Sequence, residues 1–204
     1  MIALFDLPAE PDKNILPYNG RVNYYGKIFS EEDAMFYYQE LWSKVPWEND
    51  KALIFGKEII TKRKVAWYGD RPFSYTYSKY TKQALFWNEV LTNLKAAVEK
   101  VSGNTFNSCL LNLYHDGSEG MAWHSDGEKD LEQNGAIASV SLGAIRKFAF
   151  KHKASKEKVD VILENGSLLL MRGDTQSHWQ HRLPPTKKVS SPRINLTFRT
   201  IVNQ

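Results

Sequence analysis

Seven residues near the C-terminus, Arg193-Ile194-Asn195-Leu196-Thr197-Phe198-Arg199, alternate strictly between polar and apolar. That period of two belongs to a β-strand whose successive side chains point to opposite faces. One face is Ile, Leu and Phe and must lie on a core. The other carries two guanidiniums, an amide and a hydroxyl, and faces either water or a polar cavity. The chain therefore needs a layered sheet. Further strands are expected at 108–114, 135–142, 146–152, 159–163 and 166–171, with the last strand extending over 193–201. Two helices precede them. Ser30-Glu31-Glu32-Asp33 opens one over 31–45, with acids over the positive end of the dipole. Val90, Leu94, Ala97, Val98 and Val101 recur at helical spacing and define another over 86–101, which Ser102-Gly103 stops. Helices followed by at least six spaced strands predict an α+β chain closed around a β-sandwich or jelly roll.

At 204 residues, with 42% hydrophobic and 25% charged residues, the chain suits one domain that folds without disulfides or a structural metal. The lone cysteine, Cys109, excludes an internal disulfide framework and a Cys-rich zinc module. No apolar run approaches the roughly 20 residues of a membrane helix. Met1 to Asp12 contains three acids and no basic start, so it does not read as a signal peptide. The expectation is a soluble intracellular protein, nuclear in a eukaryote and cytoplasmic in a bacterium. Residues 1–20, with Pro8, Pro11 and Pro17, are expected to form an extended arm, and 21–204 a single domain. The net charge of +4 is unevenly spread: residues 51–100 hold 10 basic and 4 acidic groups, and 151–204 hold the same. Two basic segments separated by an acidic one suit a polyanion groove, although solvated loops would produce the same pattern.

His124-Ser125-Asp126 is the most informative tripeptide. In extended backbone, His124 and Asp126 share a face and offer two corners of a metal site. Either His178 or His181 can supply a third. Two histidines and one carboxylate match the facial triad of non-haem Fe(II) oxygenases, which leaves three positions open. Arg193 and Arg199 provide forks that bind carboxylates bidentately and stay charged, as a dicarboxylate co-substrate requires. They stand roughly 20 Å apart along the strand, so long, converging side chains must grip the two ends of a five-carbon diacid. Asn112 and Tyr114 offer a second polar face on a neighbouring predicted strand.

The chain resembles the AlkB family of Fe(II)/2-oxoglutarate dioxygenases, in particular its duplex-DNA-repair branch. The resemblance covers about residues 50–202. Its markers are Phe55-Gly56-Lys57, Arg63-Lys64, Tyr68-Gly69-Asp70, Tyr75-Thr76-Tyr77-Ser78, Asn112-Leu113-Tyr114, His124-Ser125-Asp126, the run from Ile137 to Gly143, His181-x-Leu183-Pro184 and the 193–199 strand. It implies a double-stranded β-helix (jelly roll) core over about 105–202, flanked by N-terminal helices, with a nucleotide-recognition region at about 50–80. It selects His181 over His178, which is left to hydrogen-bond around the site. It implies that Arg193 with Tyr114 holds the distal carboxylate of 2-oxoglutarate. Arg199 with Asn112 then lies near the chelating end, supported by Asn195 and Thr197. It further implies iron, 2-oxoglutarate and O2 as reactants and alkylated DNA as partner, double-stranded and also single-stranded, with the enzyme a monomer.

The reaction that follows from the resemblance is oxidative demethylation of 1-methyladenine or 3-methylcytosine, releasing formaldehyde, succinate and CO2. The methyl group sits on the pairing edge, so the nucleotide must leave the stack. Tyr77 and the His124 ring would sandwich the base, with Tyr75 and Glu128 at its polar edges and Thr76 among the substrate-binding residues. Phe55 would fill the gap in the duplex, with Gly56 beside it in the substrate-binding set. Lys57, Arg63, Lys64, Lys187 and Lys188 would hold phosphates. Gly127 departs from the family's pattern after the iron aspartate and weakens the case for Glu128. Trp67 replaces a smaller residue of that branch. The alternatives are a 2-oxoglutarate oxygenase acting on RNA or protein, a nucleic-acid-binding module without catalysis, and a metal hydrolase. The last would leave the diacid-binding residues idle.

Overall fold

The computed structural model describes residues 10–54, 57–77 and 80–202. The first half runs β1 (Arg21–Lys27), α1 (Glu31–Lys44), β2 (Glu48–Ile54), β3 (Lys57–Gly69), β4 (Ser74–Tyr77), β5 (Tyr80–Gln83), β6 (Leu85–Phe86) and α2 (Glu89–Ser102). The second half is mostly strand: β7 (Ser108–Tyr114), β8 (Met121–His124), β9 (Ile137–Gly143), β10 (Arg146–His152), β11 (Lys158–Leu163) and β12 (Ser167–Arg172). It ends with α3 (Thr175–His178), β13 (Trp179–Leu183) and β14 (Arg193–Arg199).

Both long helices begin where their caps dictate. The Ser30 hydroxyl accepts the Asp33 N–H at the start of α1, and the Asn88 side chain accepts the Leu91 N–H at the start of α2. The second cap corrects the expected start at residue 86, because Leu85 and Phe86 pair with β3 as a strand. Gly103, at φ 67°, closes α2 in the left-handed conformation. Strands β7 and β10 match the sequence expectation at both ends. The expected strand over 193–201 stops at Arg199, and Ile201 makes an isolated bridge to Leu131. Residues 10–20 turn rather than run extended. The Asn14 side-chain oxygen Oδ1 accepts backbone N–H groups from Leu16 and Val22, and Leu16 is buried.

The larger sheet has the order β1-β12-β9-β14-β7-β3-β2, with β6 on β3; the smaller has the order β11-β10-β13-β8. Alternation sorts the side chains into two cores. Ile194, Leu196 and Phe198 join Cys109, Leu111, Leu113, Val140 and Leu142 against Leu41 of α1 and Leu91, Leu94 and Val98 of α2. Each such Leu or Phe stabilises the fold by about 1.5–3 kcal/mol on burial. The second core lies between the sheets, where Tyr114, Ile137, Leu169 and Met171 meet Phe148, Phe150, Leu163, Trp179 and Leu183. The polar face of β14 therefore points into the space between the sheets, not to water. That placement positions the site. Trp67 closes one end, stacking on Phe73 at 6.5 Å and donating to Ser108 Oγ at 2.8 Å. Among the described residues no helix is long and apolar enough to cross a membrane.

Candidate metal centre

The smaller sheet carries the two histidines. His181 of β13 is paired in register with His124 of β8, and their rings meet edge to face at 4.3 Å. Between Met121 and His124 the edge strand holds one residue more than its partner, a β-bulge. The bulge aims both Met121 and His124 inward and turns the Ala122 carbonyl toward the ring, 2.8 Å from His124 Nδ1. A carbonyl only accepts, so Nδ1 carries the proton and Nε2 is left with its lone pair free. His124 Nε2 lies 3.6 Å from Asp126 Oδ1, and His181 Nε2 lies 3.7 Å from the same oxygen. Each separation is less than twice a metal–ligand bond of about 2.1 Å, so one ion can touch all three. These three residues are the cluster of metal-ligating groups found among the described residues.

Asp126 is almost wholly buried, which alone would raise its pKa. Arg199, donating Nη2 to Oδ2 at 2.8 Å, and the neighbouring histidines outweigh burial and hold the carboxyl well below its usual range. Burial and the neighbouring His181 charge push the His124 pKa down. The Asp126 carboxylate and the His124 imidazole thus favour the deprotonated forms a cation requires. Two further contacts hold the segment from behind. The Asp126 N–H donates to Gln176 Oε1 at 2.9 Å, and Ser125 Oγ donates to the Trp179 carbonyl. Phe148 stacks on the His181 ring at 5.5 Å. A cleft of about 360 Å³, lined in part by Glu128, Asn134 and Gln176, reaches the Asp126–Arg199 pair.

Deeper between the sheets, Arg193 is 1% exposed. Its Nη2 donates to Ser141 Oγ and Asn195 Oδ1, each at 2.8 Å, and its guanidinium lies 5.7 Å from the Tyr114 ring centroid. No carboxylate among the described residues pairs with it, and burial lowers its pKa to about 10. Asn195 sits opposite Asn112 and donates to Thr197 Oγ1. Asn112 Oδ1, Arg193 Nε and Arg199 Nε are buried without a hydrogen-bond partner. A buried cation and idle polar atoms on the strand facing a His/Asp/His cluster call for an anionic, oxygen-rich ligand.

The expected substrate residues are less gathered. Phe55 and Gly56 lie outside the described residues. Lys57 begins β3, and Tyr75, Thr76 and Tyr77 lie in β4 by backbone, with their side chains outside the description. Arg63 pairs with Asp50, lies 3.4 Å from Met121 Sδ and has a side chain 11% exposed. A phosphate contact from Arg63 would require it to leave that acid. Glu128 reaches Arg199 Nη1 at 3.5 Å, on the rim of the cluster. His178 is exposed and stacks on His152, away from the cluster. Gln176, Phe148, Ser139 and Ser141 were not foreseen as site residues. The two serines show the same period-two alternation as β14, whereas Gln176 acts across a turn and leaves no pattern.

Over residues 21–199 the chain matches the family described as the 2OG-Fe(II) oxygenase superfamily. It is 40% identical over 189 residues to DNA oxidative demethylase ALKBH2 of Homo sapiens, covering 87% of this chain and 72% of that protein. Identity to the Mus musculus protein of the same name is 39% over 203 residues, covering 94% and 85%. With alpha-ketoglutarate-dependent dioxygenase alkB homolog 3 of Homo sapiens it is 39% over 194 residues, covering 89% and 66%. The solved structure of OsALKBH1 shares the fold at a TM-score of 0.61 and 17% identity, over 91% of this chain and 98% of that one.

Proposed function

The chain belongs to the AlkB family of 2OG-Fe(II) oxygenases and is a dioxygenase, and from that premise we propose that it demethylates N-alkylated bases in DNA. One observation carries the reading: a two-histidine, one-carboxylate cluster accompanies a buried arginine that has no carboxylate partner among the described residues. The two sheets are read as the walls of a double-stranded β-helix around that site. His124, Asp126 and His181 would hold Fe(II), leaving open the positions a facial triad leaves. The donor set fits, since it combines imidazole and carboxylate without thiolate. The chemistry that bound iron and 2-oxoglutarate supply is dioxygen-driven hydroxylation of the N-methyl carbon, coupled to release of succinate and CO2; the hydroxymethyl base then sheds formaldehyde.

The protein's own residues bind, orient and exclude. Arg199 keeps Asp126 ionised and in place. Arg193, aligned by Ser141 and Asn195 over the Tyr114 ring, would receive the far carboxylate of 2-oxoglutarate. Asn112 and Thr197 border the same space. 1-Methyladenine and 3-methylcytosine are proposed as substrates, because a methyl on the pairing edge both requires extrusion and lowers its cost. Tyr77 and His124 would sandwich the base, with Tyr75 and Glu128 at its polar edges and Thr76 among the substrate-binding residues. Phe55, next to Gly56, would fill the gap in the duplex, and Lys57, Lys64, Lys187 and Lys188 would hold phosphates. The relatives named DNA oxidative demethylase ALKBH2 favour DNA over RNA or protein. The test supplies methylated single strands, duplexes and RNA with iron, 2-oxoglutarate and air, and quantifies formaldehyde. Release from DNA supports the reading; release from RNA alone, or none from any methylated nucleic acid, overturns it. Phe55→Ala should impair duplex repair far more than single-strand repair, and equal losses would remove the wedge.

A further inference from the structure

The outward face of the smaller sheet carries unbalanced positive charge. Phe148, Phe150 and His181 face inward, so Lys147, Ala149 and Lys151 of β10 and Gln180 and Arg182 of β13 face out. Lys158, Asp160 and Ile162 of β11, their direct partners, share that face. Among these outward strand positions Asp160 is the single acid, and Lys147 occupies it at 2.5 Å. Trp123, in the bulge of β8, presents its ring to two other cations. Lys151 Nζ lies 4.5 Å from the ring centroid and the Arg182 guanidinium 4.6 Å. Neither cation pairs with a carboxylate among the described residues, and Arg182 Nε is buried with no hydrogen-bond partner. Cation–π attraction of about 0.5–1 kcal/mol each draws both charges to one indole, yet it leaves their mutual repulsion uncancelled. An anion beside the ring removes that repulsion.

The surface also has a fixed relation to the chemistry. Trp123 precedes His124 and Arg182 follows His181, so this face begins one residue from two metal ligands, on the outer side of the same strands. Strand β8 is the edge of its sheet, and no further strand separates the patch from that edge. We propose that Lys151 and Arg182 bind phosphodiester groups of the nucleic-acid substrate flanking the target base, with the Trp123 ring as a flat support between them. Two unpaired cations around an aromatic plane suit a charged backbone with stacking groups better than an acidic peptide, which offers no plane to the indole. The inference rests on the reading of the chain as a nucleic-acid demethylase.

Labelled single-stranded and duplex DNA are titrated across a salt series against the full chain, the Lys151→Gln/Arg182→Gln variant and the single Lys151→Glu variant. The latter changes one part-exposed outward residue, so it also guards against a fold defect in the double variant. The double variant should bind roughly tenfold more weakly at low salt. The slope of log affinity against log salt should become shallower by about 0.9 per lost contact on duplex and about 0.7 on single strand. Lys151→Glu should weaken binding in the same direction, and the KM for 2-oxoglutarate should not move in either variant. If the wild-type chain binds DNA and both variants keep its slope and affinity, the surface proposal fails while the demethylase reading stands. If the wild-type chain binds no nucleic acid at any salt, that reading falls and takes this proposal with it. Loss of binding to a polyglutamate peptide, with DNA binding unchanged, would assign the face to an acidic protein and overturn the proposal.

Discussion

Burying a guanidinium without an acid costs several kcal/mol, and the ligand-free protein bears that cost at Arg193. Arg193→Met should therefore leave the ligand-free melting temperature unchanged or raise it, by calorimetry. The KM for 2-oxoglutarate should rise at least tenfold, since truncating one member of a buried charge pair costs about 2–5 kcal/mol. A lower melting temperature with an unchanged KM would show that the residue serves packing alone. The metal ligands have their own pH signature. Burial and the His181 charge lower the His124 pKa from its ordinary 6.5, so His124 is neutral above that value and gains a proton only below it. Asp126 stays ionised throughout this range. The His124 contribution to Mn(II) affinity, followed by calorimetric titration, should be lost only as pH drops beneath 6.5. A decline beginning well above that value would contradict the assignment. His124→Ala should abolish metal-dependent turnover and keep the fold.

Elements hold these residues at the required angles, and two devices are testable. Gln176 of α3 fixes the Asp126 backbone, and Ser125 ties the same segment to Trp179. Gln176→Ala should weaken metal affinity by roughly 10–100-fold, as loss of an outer support typically does. The melting temperature of the metal-free protein should change little. Ser30→Ala, at the start of α1, should do the opposite. It costs about 1 kcal/mol of stability and leaves metal affinity intact, and denaturant unfolding beside metal titration separates the two. Strands such as β7 and β10 were legible to the residue because short apolar-rich runs between polar or Gly-bearing connections mark them. The β8 bulge was not, because one extra residue in an edge strand leaves no periodic trace and is defined only against β13. The strands over 48–86 were missed for a related reason. Lysine-rich runs such as Lys57 to Lys64 read as solvated loops until β7 is there to pair with β3.

Across the whole molecule, 2-oxoglutarate and a metal ion would join the two sheets: Arg193 lies on the larger, and His124 and His181 on the smaller. Adding 2-oxoglutarate at about a hundred times its dissociation constant to the Mn(II)-loaded chain should stabilise the fold by about a further 2.7 kcal/mol. For a chain of this size that is roughly 5–10 °C in melting temperature. Scanning calorimetry should find the shift in wild type and lose the 2-oxoglutarate part of it in Arg193→Met. A shift of equal size in that variant would place the diacid elsewhere.

Two of the three candidate metal-ligating residues, His124 and Asp126, were readable from the chain by itself, because chemistry restricts which side chains can hold such an ion and one short motif carries both. So was the apolar face of β14, because alternation is a local property. The chain by itself left His178 and His181 as equals; the resemblance favoured the latter, and the fold shows why. His181 faces inward beside His124, whereas His178 ends a one-turn helix and points to solvent. It also could not reveal that Arg63 is bound to Asp50, that Gln176 braces Asp126, or that the polar face of β14 meets a second sheet instead of water. Those facts depend on which strands become neighbours, and only the packing of residues far apart in the chain decides that.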